Sequence, residues 1–350
     1  MSFFPFHPFL KKSDRLLRLG IIGLGRISDI HIRTFAHNKN VSIESLADIR
    51  KDVVGQKASL LGTKKFSTDY WSILSDSSID VVDILLPHFL HARVVCEALE
   101  SGKHVICEKP LATELRDIDK IVSVSRKTKK HVYLKQYFRF STLHRDAKDA
   151  ILRGDIGRPY LVSCVYTGDA LSSYSDPKSW RGNLHEAGGG IFMDVGVHIV
   201  DFLQELFGYP IAVTGVVKKN FTSLQTKGED MSVVTLEFQS SIVVNIICSA
   251  ADTSYGFRWE KHFYGSDGSL HLIDFGKPRM EMRLQKNQNL EKVEVENDWW
   301  DHANIGALND CIERIIRGEQ PAVSLQEAKN TLHVIKSAYK SAILGRKINL

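Results

Sequence analysis

The chain has 350 residues, 43% of them hydrophobic and 25% charged, and a formal net charge of +5. That is room for roughly two domains with a sizeable core, in a composition typical of soluble globular proteins. The positive charge is dispersed, and its densest run, RKTKK at 126–130, has no aromatic residues interleaved, so no nucleic-acid partner is expected. No apolar run reaches the roughly 18 residues that span a bilayer, so no membrane partner is expected either. Cys96, Cys107, Cys164, Cys248 and Cys311 are odd in number and widely spaced. They make neither a disulfide framework nor a zinc pattern, and a reducing cytoplasm suits them best.

In chain order, the first feature is the aromatic start MSFFPFHPFLKK. Two prolines interrupt it and its lysines follow the apolar part, the reverse of a signal peptide, so residues 1–15 read as an arm packed on the body or on another subunit. Strand-like runs follow at 16–22, 41–47, 81–86, 103–108 and 131–136, with helix-like segments near 26–37, 50–61, 70–75, 88–101 and 114–129. Such alternation implies βαβ units and a doubly wound parallel sheet covered on both faces. The texture changes near 138–141. A helix near 142–153 precedes PYLVSCVYT, IAVTGVVKK, MSVVTLEF, SIVVNIICSA, RWEKHFYG and GSLHLIDF. Strands joined by such short turns suggest a mainly antiparallel sheet. The chain then returns to helix. The expected fold is α/β in two parts, a nucleotide-binding domain over 16–138 and a second α/β domain over 139–350.

The first strand runs into GIIGLGRISDIH, where Gly23-x-Gly25-x-x-Ser28 opens a helix. The first glycine allows a tight turn, the second lets a pyrophosphate approach the backbone, and a small third residue lets helix and strand pack. The helix N-terminus offers free N–H groups to phosphates. Asp48 ends the second strand, about 20 residues on, where a carboxylate accepts from the adenosine ribose hydroxyls. Its charge repels a 2′-phosphate, so NAD is expected over NADP, with Arg50 softening the preference. The alternative is a plain strand–helix turn in which Asp48 caps the next helix.

Pro87 ends the third strand, and Glu108, Lys109 and Pro110 close the next one at the same sheet edge, where doubly wound folds bind ligands. Taken alone, Lys109 reads as a surface lysine at least as readily as a catalytic one. Further on, GGGIFMDVGVHIVD (188–201) sets Asp194 and His198 four residues apart, on one face of an expected helix, with Asp201 and Glu205 extending the stripe. Periodicity alone favours a solvated face over a base aimed at a substrate. An Asp and a His at this spacing can also share a cation, but no third ligand of matching spacing is evident, so no metal is expected.

Taken together, GLGRIS with Asp48, LPHFLH at 86–91, SGKHV, EKPLA, GDIGRP at 154–159 and WRGNLHEAGGGIFMDVGVHIVD at 180–201 resemble the glucose–fructose oxidoreductase/inositol dehydrogenase/MocA (Gfo/Idh/MocA) family. The resemblance implies an N-terminal Rossmann domain and a C-terminal α/β domain whose large open sheet forms a homodimer or homotetramer interface. It implies an NAD(P)-dependent dehydrogenase acting on a secondary hydroxyl of a sugar, sugar derivative or cyclic polyol. Lys109, Asp194 and His198 then form the catalytic set, with Asp201 and Glu205 left structural or solvated. A histidine titrates near neutrality and suits the proton transfer. Asp194 would orient its ring, and Lys109 would stabilise alkoxide character on the substrate oxygen. Whether His198 or Lys109 is the final base stays open, with His198 favoured.

By the same likeness, Gly23, Gly25, Arg26 and Ile27 line the pyrophosphate loop, and Leu86, Pro87 and His91 flank the nicotinamide half. Glu108, Gln136, Trp180 and Arg181 follow as cofactor contacts, while Tyr137 and Arg139 lie at the domain junction within reach of substrate. The three glycines at 188–190 are expected to let the backbone pass close to cofactor or substrate. The chain departs from the family pattern at Ser28, His88 and the N-terminal arm, none of them in the catalytic set. The competing reading is a catalytically silent nucleotide-binding regulatory or scaffold protein of the same fold, against which the intact catalytic set argues.

Overall fold

The computed structural model describes residues 16–176, 179–220, 228–252, 257–274, 280–286, 289–295 and 299–350; the arm at 1–15 lies outside the described residues. The first half runs β1 (Leu17–Ile22), α1 (Ser28–His37), β2 (Val41–Ala47), α2 (Lys51–Leu61), β3 (Lys65–Ser67) and α3 (Trp71–Leu74). It continues with β4 (Val81–Ile84), α4 (His88–Glu100), β5 (His104–Cys107), α5 (Leu115–Thr128) and β6 (Val132–Leu134). These strands form one parallel sheet in the order β3-β2-β1-β4-β5-β6. Every residue of β4 is buried, as expected of a parallel strand with helices on both faces. The order reverses between β1 and β4, and the carboxyl ends of strands beside such a switch point open a crevice. β3, short and largely exposed, has no apolar run to betray it in the sequence.

The second half begins with a 3₁₀ turn (Tyr137–Phe140), α6 (Thr142–Arg153), β7 (Pro159–Gly168) and α7 (Leu171–Ser175). A second 3₁₀ turn (Trp180–Gly182), α8 (Leu184–Ala187), a π turn (Phe192–Gly196) and α9 (Val197–Phe207) follow. Then come β8 (Ala212–Lys218), β9 (Met231–Glu237), β10 (Val243–Ser249), β11 (Phe257–Gly265), β12 (Gly268–Asp274), β13 (Met280–Lys286) and β14 (Asn289–Val295). The chain ends in α10 (Trp299–Arg317), α11 (Leu325–Leu344) and β15 (Ile348–Asn349). The strands make a mixed sheet in the order β14-β13-β12-β11-β7-β10-β9-β8-β15, antiparallel throughout except where β7 meets β10. β13 and β14 were not among the expected strands.

The larger sheet alternates cleanly. Val244, Ile246 and Cys248 of β10 are buried under the helices, whereas Val216, Val233 and Val243 stand exposed on the other face. α11 starts at a capping box in which Ser324 and Glu327 satisfy each other's backbone N–H groups. α10 crosses back over the first half. Its Leu308, Cys311 and Ile312 pack in one cluster with Leu19, Ile21 and Phe35, so a helix from the last part of the chain completes the core around β1 and α1.

Candidate active site

A cleft of about 1270 Å³ opens at the switch point, between the carboxyl ends of the parallel strands and the segments preceding α9. Gly23, Gly25, Arg26, Ile27, Asp48, Leu86, Pro87, His91, Glu108, Lys109, Trp180, Arg181, Asp194 and His198 all line it; Gln136 does not. At Gly23, φ is +93° and a Cβ would lie 2.4 Å from the carbonyl oxygen of Leu85, so only glycine fits the turn. A Cβ on Gly25 would meet nothing within 4 Å, which leaves its backbone open to the cleft. Ser28 is buried, donating to the Gly25 carbonyl (2.7 Å) and accepting from Lys57 (2.7 Å).

Asp48 accepts from the backbone N–H of Leu24 (2.7 Å), so the end of β2 is tied to the glycine loop. Arg50 closes over the same carboxylate with Nε at 2.9 Å and a terminal nitrogen at 3.0 Å. Burial opposes ionisation of Asp48, but Arg50 and the backbone donors outweigh it and lower its pKa. An open glycine loop with a charged carboxylate at the next strand end fits the pyrophosphate and adenosine ribose of NAD.

His91 sits 2.7 Å from the carbonyls of both Leu86 and Pro110, between the two loops that carry Pro87 and Lys109. Glu108 belongs to a buried ionic group. It accepts from Lys135 and lies 3.2 Å from His31 Nε2, while His31 Nδ1 is 2.8 Å from Asp83. Burial opposes the charge of Glu108, yet Lys135 and His31 hold its carboxyl well below the usual range. For His31, burial is outweighed by Asp83 and the pKa rises. Lys135 escaped the sequence reading, although it leaves β6 as Lys109 leaves β5, and the same edge argument flags both.

The centre is the junction of the two halves. Lys109 Nζ donates to the main-chain carbonyl of Asp194 (2.6 Å) and to its carboxylate (2.7 Å). The other carboxylate oxygen accepts from the Tyr174 hydroxyl (2.9 Å) and Arg181 Nε (3.1 Å). Burial would raise the Asp194 pKa, but Lys109 and Arg181 hold it well below the carboxylate range. Arg181 also stacks over Trp180, 4.3 Å from the ring centre, and Trp180 packs edge-on against His88.

His198 is buried, with Nδ1 3.2 Å from Gln136 Oε1. Burial, with Lys109 adding to it, pushes its pKa well below 6.5, so the ring is neutral. Asp194 and His198 both line the cleft, but no hydrogen bond joins them among the described residues. Residues 192–196 make a π turn, which inserts an extra residue and shifts the register. Among the described residues, the carboxylate of Asp194 accepts from Lys109, Tyr174 and Arg181, and the ring of His198 meets Gln136.

The role expected for the three glycines also changes. A Cβ on Gly189 would lie 2.3 Å from the Tyr339 hydroxyl, and one on Gly190 only 2.0 Å from the Glu229 carbonyl oxygen. The backbone therefore passes close to other protein segments. The buried Glu229 carboxylate accepts from the N–H groups of Gly190 (2.7 Å) and Phe192 (2.8 Å) and anchors the start of the π turn.

Arg139 is committed to structure. It pairs through two nitrogens with buried Asp201 (2.8 and 2.9 Å) and reaches Glu327 (3.0 Å), while Glu205 pairs with Lys148. Tyr137 does line the cleft, as do Tyr166 and Tyr174, which no local motif announced. Trp300, Asp301 and Asn304 of α10 reach the cleft as well.

Two sequence profiles match the chain. The oxidoreductase family, NAD-binding Rossmann fold, covers residues 17–136, and the GFO/IDH/MocA C-terminal domain covers residues 144–271. The chain belongs to the Gfo/Idh/MocA family. It is an oxidoreductase with an NAD-binding Rossmann domain. It is 24% identical to myo-inositol 2-dehydrogenase of Thermotoga maritima, over 95% of this chain and 98% of that protein. It is 25% identical to scyllo-inositol 2-dehydrogenase (NAD(+)) of Bacillus subtilis, over 96% of this chain and 97% of that one. In fold it resembles levoglucosan dehydrogenase solved with NADH and levoglucosan, with a TM-score of 0.85 at 20% identity, covering 96% of this chain and 99% of the other. Both inositol relatives align over nearly the whole chain, so the resemblance extends well beyond the nucleotide loop.

Proposed function

We propose that this oxidoreductase transfers a hydride between NAD and a secondary alcohol or ketone of a sugar, sugar derivative or cyclic polyol, with Lys109, Asp194 and His198 as its catalytic set. The observation that carries the reading is the pairing of Lys109 with Asp194 beside neutral His198, on the wall of a cleft that also holds the glycine loop. The relatives named for inositols and levoglucosan take hydroxyl-rich rings, the same class of molecule. NAD, when bound, supplies the carbon that accepts the hydride.

The chain's own groups do the rest. The Lys109 ammonium, held in place by Asp194, donates to the substrate oxygen and stabilises alkoxide character as it develops. His198 takes the hydroxyl proton and returns it in the reverse direction. Tyr137, Tyr166, Tyr174 and Trp180 give the substrate end aromatic walls, which suit the C–H face of a ring, while their polar tips suit its hydroxyls. Asp48 at the ribose end repels a 2′-phosphate and favours NAD over NADP.

Two further points complete the reading. The exposed valines on the open face of the larger sheet support a homodimer or homotetramer joined there. Five unpaired, buried thiols support a reducing cytoplasm, and among the described residues no helix is long and apolar enough to cross a membrane.

The test is an NAD-reduction screen over inositols, hexoses, anhydrosugars, hexose phosphates and nucleotide-linked sugars, run with Lys109→Met and His198→Ala alongside. Turnover of a neutral sugar or polyol is expected, reduced at least about 100-fold in either variant while NAD still binds. NAD binding with no turnover across the panel would favour a catalytically silent regulatory protein instead.

A further inference from the structure

We propose that Gln136 is a positioning residue for the reaction: its side-chain carbonyl accepts the Nδ1 proton of His198, so that the ring presents a bare Nε2 to the cleft as the proton acceptor. The proposal rests on the reading of His198 as the base. Oε1 and Nδ1 are 3.2 Å apart, and Gln136 and His198 are only 1% and 5% exposed, so water does not compete for Nδ1. A neutral imidazole carries one proton on one nitrogen, and the hydrogen bond made by one edge decides what the other edge can do.

The ring is also held in orientation. Tyr137 packs against it with centroids 4.5 Å apart and Phe138 at 5.6 Å, so three consecutive residues leaving β6 supply both the hydrogen bond and the walls. His198 lines the cleft and Gln136 does not. Nδ1 therefore points into the protein, and among the described residues no side chain bonds Nε2.

Asp194 is the partner that sequence spacing suggested, but its oxygens are taken by Lys109, Tyr174 and Arg181. The difference matters chemically. A carboxylate at Nδ1 would stabilise the imidazolium and hold the proton. An amide fixes the tautomer without that bias and leaves a ring ready to accept.

The test uses the full-length protein saturated with NAD. The ¹⁵N chemical shifts of His198, assigned by their loss in His198→Gln, distinguish a protonated ring nitrogen from a bare one. Expected is a protonated Nδ1 and a bare Nε2 at pH 7.5, with the populations mixed in Gln136→Leu. A proton on Nε2 in the unsubstituted protein overturns the proposal, as does an unchanged tautomer in Gln136→Leu. As a second readout that folding alone would not move, Gln136→Glu should shift the acid limb of the kcat/KM profile up by about one to three pH units. An unmoved limb also overturns it. The spectrum needs no turnover, so it separates this proposal from the base assignment, which His198→Ala tests.

Discussion

The ammonium of Lys109 donates at once to the carbonyl (2.6 Å) and the carboxylate (2.7 Å) of Asp194, a residue 85 positions further along the chain. This contact joins the end of β5, in the nucleotide half, to the π turn ahead of α9, in the other half. It also leaves the second carboxylate oxygen to Tyr174 and Arg181, so three donors surround one partly buried anion.

Removing one of those donors should loosen the site without emptying it. Tyr174→Phe deletes a hydrogen bond to a partly buried carboxylate and should lower stability by about 1–2 kcal/mol in urea unfolding. Because Lys109 and Arg181 remain, kcat should fall by less than about tenfold, with the affinity for NAD unchanged. A loss of turnover as deep as that of Lys109→Met would show that Tyr174 does more than hold Asp194.

Two glycine substitutions should separate folding from cofactor binding. A Cβ on Gly25 meets no protein atom within 4 Å, so Gly25→Ala should leave unfolding unchanged, within about 0.5 kcal/mol, and weaken NAD. On Gly190 the Cβ would sit 2.0 Å from the Glu229 carbonyl oxygen, a backbone atom that cannot step aside. Gly190→Ala should cost about 1–3 kcal/mol or more and displace the turn carrying Asp194. Calorimetry of the apo protein together with NAD titration reads both; Gly25→Ala binding NAD normally would mean that the pyrophosphate does not pass there.

Asp48 and Arg50 should act in opposite directions on NAD. Asp48→Ala removes a charged acceptor for the ribose and should weaken NAD by about 10- to 100-fold. Arg50 occupies both carboxylate oxygens, with contacts of 2.9 and 3.0 Å. Arg50→Ala therefore frees them and should tighten NAD. Weaker NAD binding in both variants would show that the pair, and not the carboxylate alone, holds the ribose.

Acid should destabilise the fold early, through buried histidines. His88 is buried, its Nδ1 donates to the carbonyl of Ala187 (3.0 Å), and burial lowers its pKa from 6.5 to about 3. The unfolded chain protonates this ring near 6.5 and the folded one only near 3. The unfolded state thus binds more protons between those values, so stability is full above the unfolded pKa and falls as pH drops through the window. The slope from one such group is up to about 1.4 kcal/mol per pH unit. His88→Asn should flatten the pH dependence of urea unfolding between about pH 6 and 4. Identical slopes in the two proteins would place the acid sensitivity elsewhere.

Much of this molecule is written locally. The alternation of apolar runs and helical segments specifies a parallel sheet, because a strand buried on both faces must be continuously apolar. The spacing Gly23-x-Gly25-x-x-Ser28 with Asp48 announces itself, whereas Lys109, Asp194 and His198 stand out only through the family resemblance, and the cleft gathers Gly23, Gly25, Asp48 and these three. What no window of sequence could decide is which buried polar group answers which. The carboxylate of Asp194 goes to Lys109, and Gln136, from 62 residues earlier, takes the ring of His198. Gly190 turned out to be small for Glu229, and α10 to belong with β1. Those choices are made by packing, since a buried donor or acceptor must find its partner among whatever the fold brings within 3 Å or so, however far away along the chain.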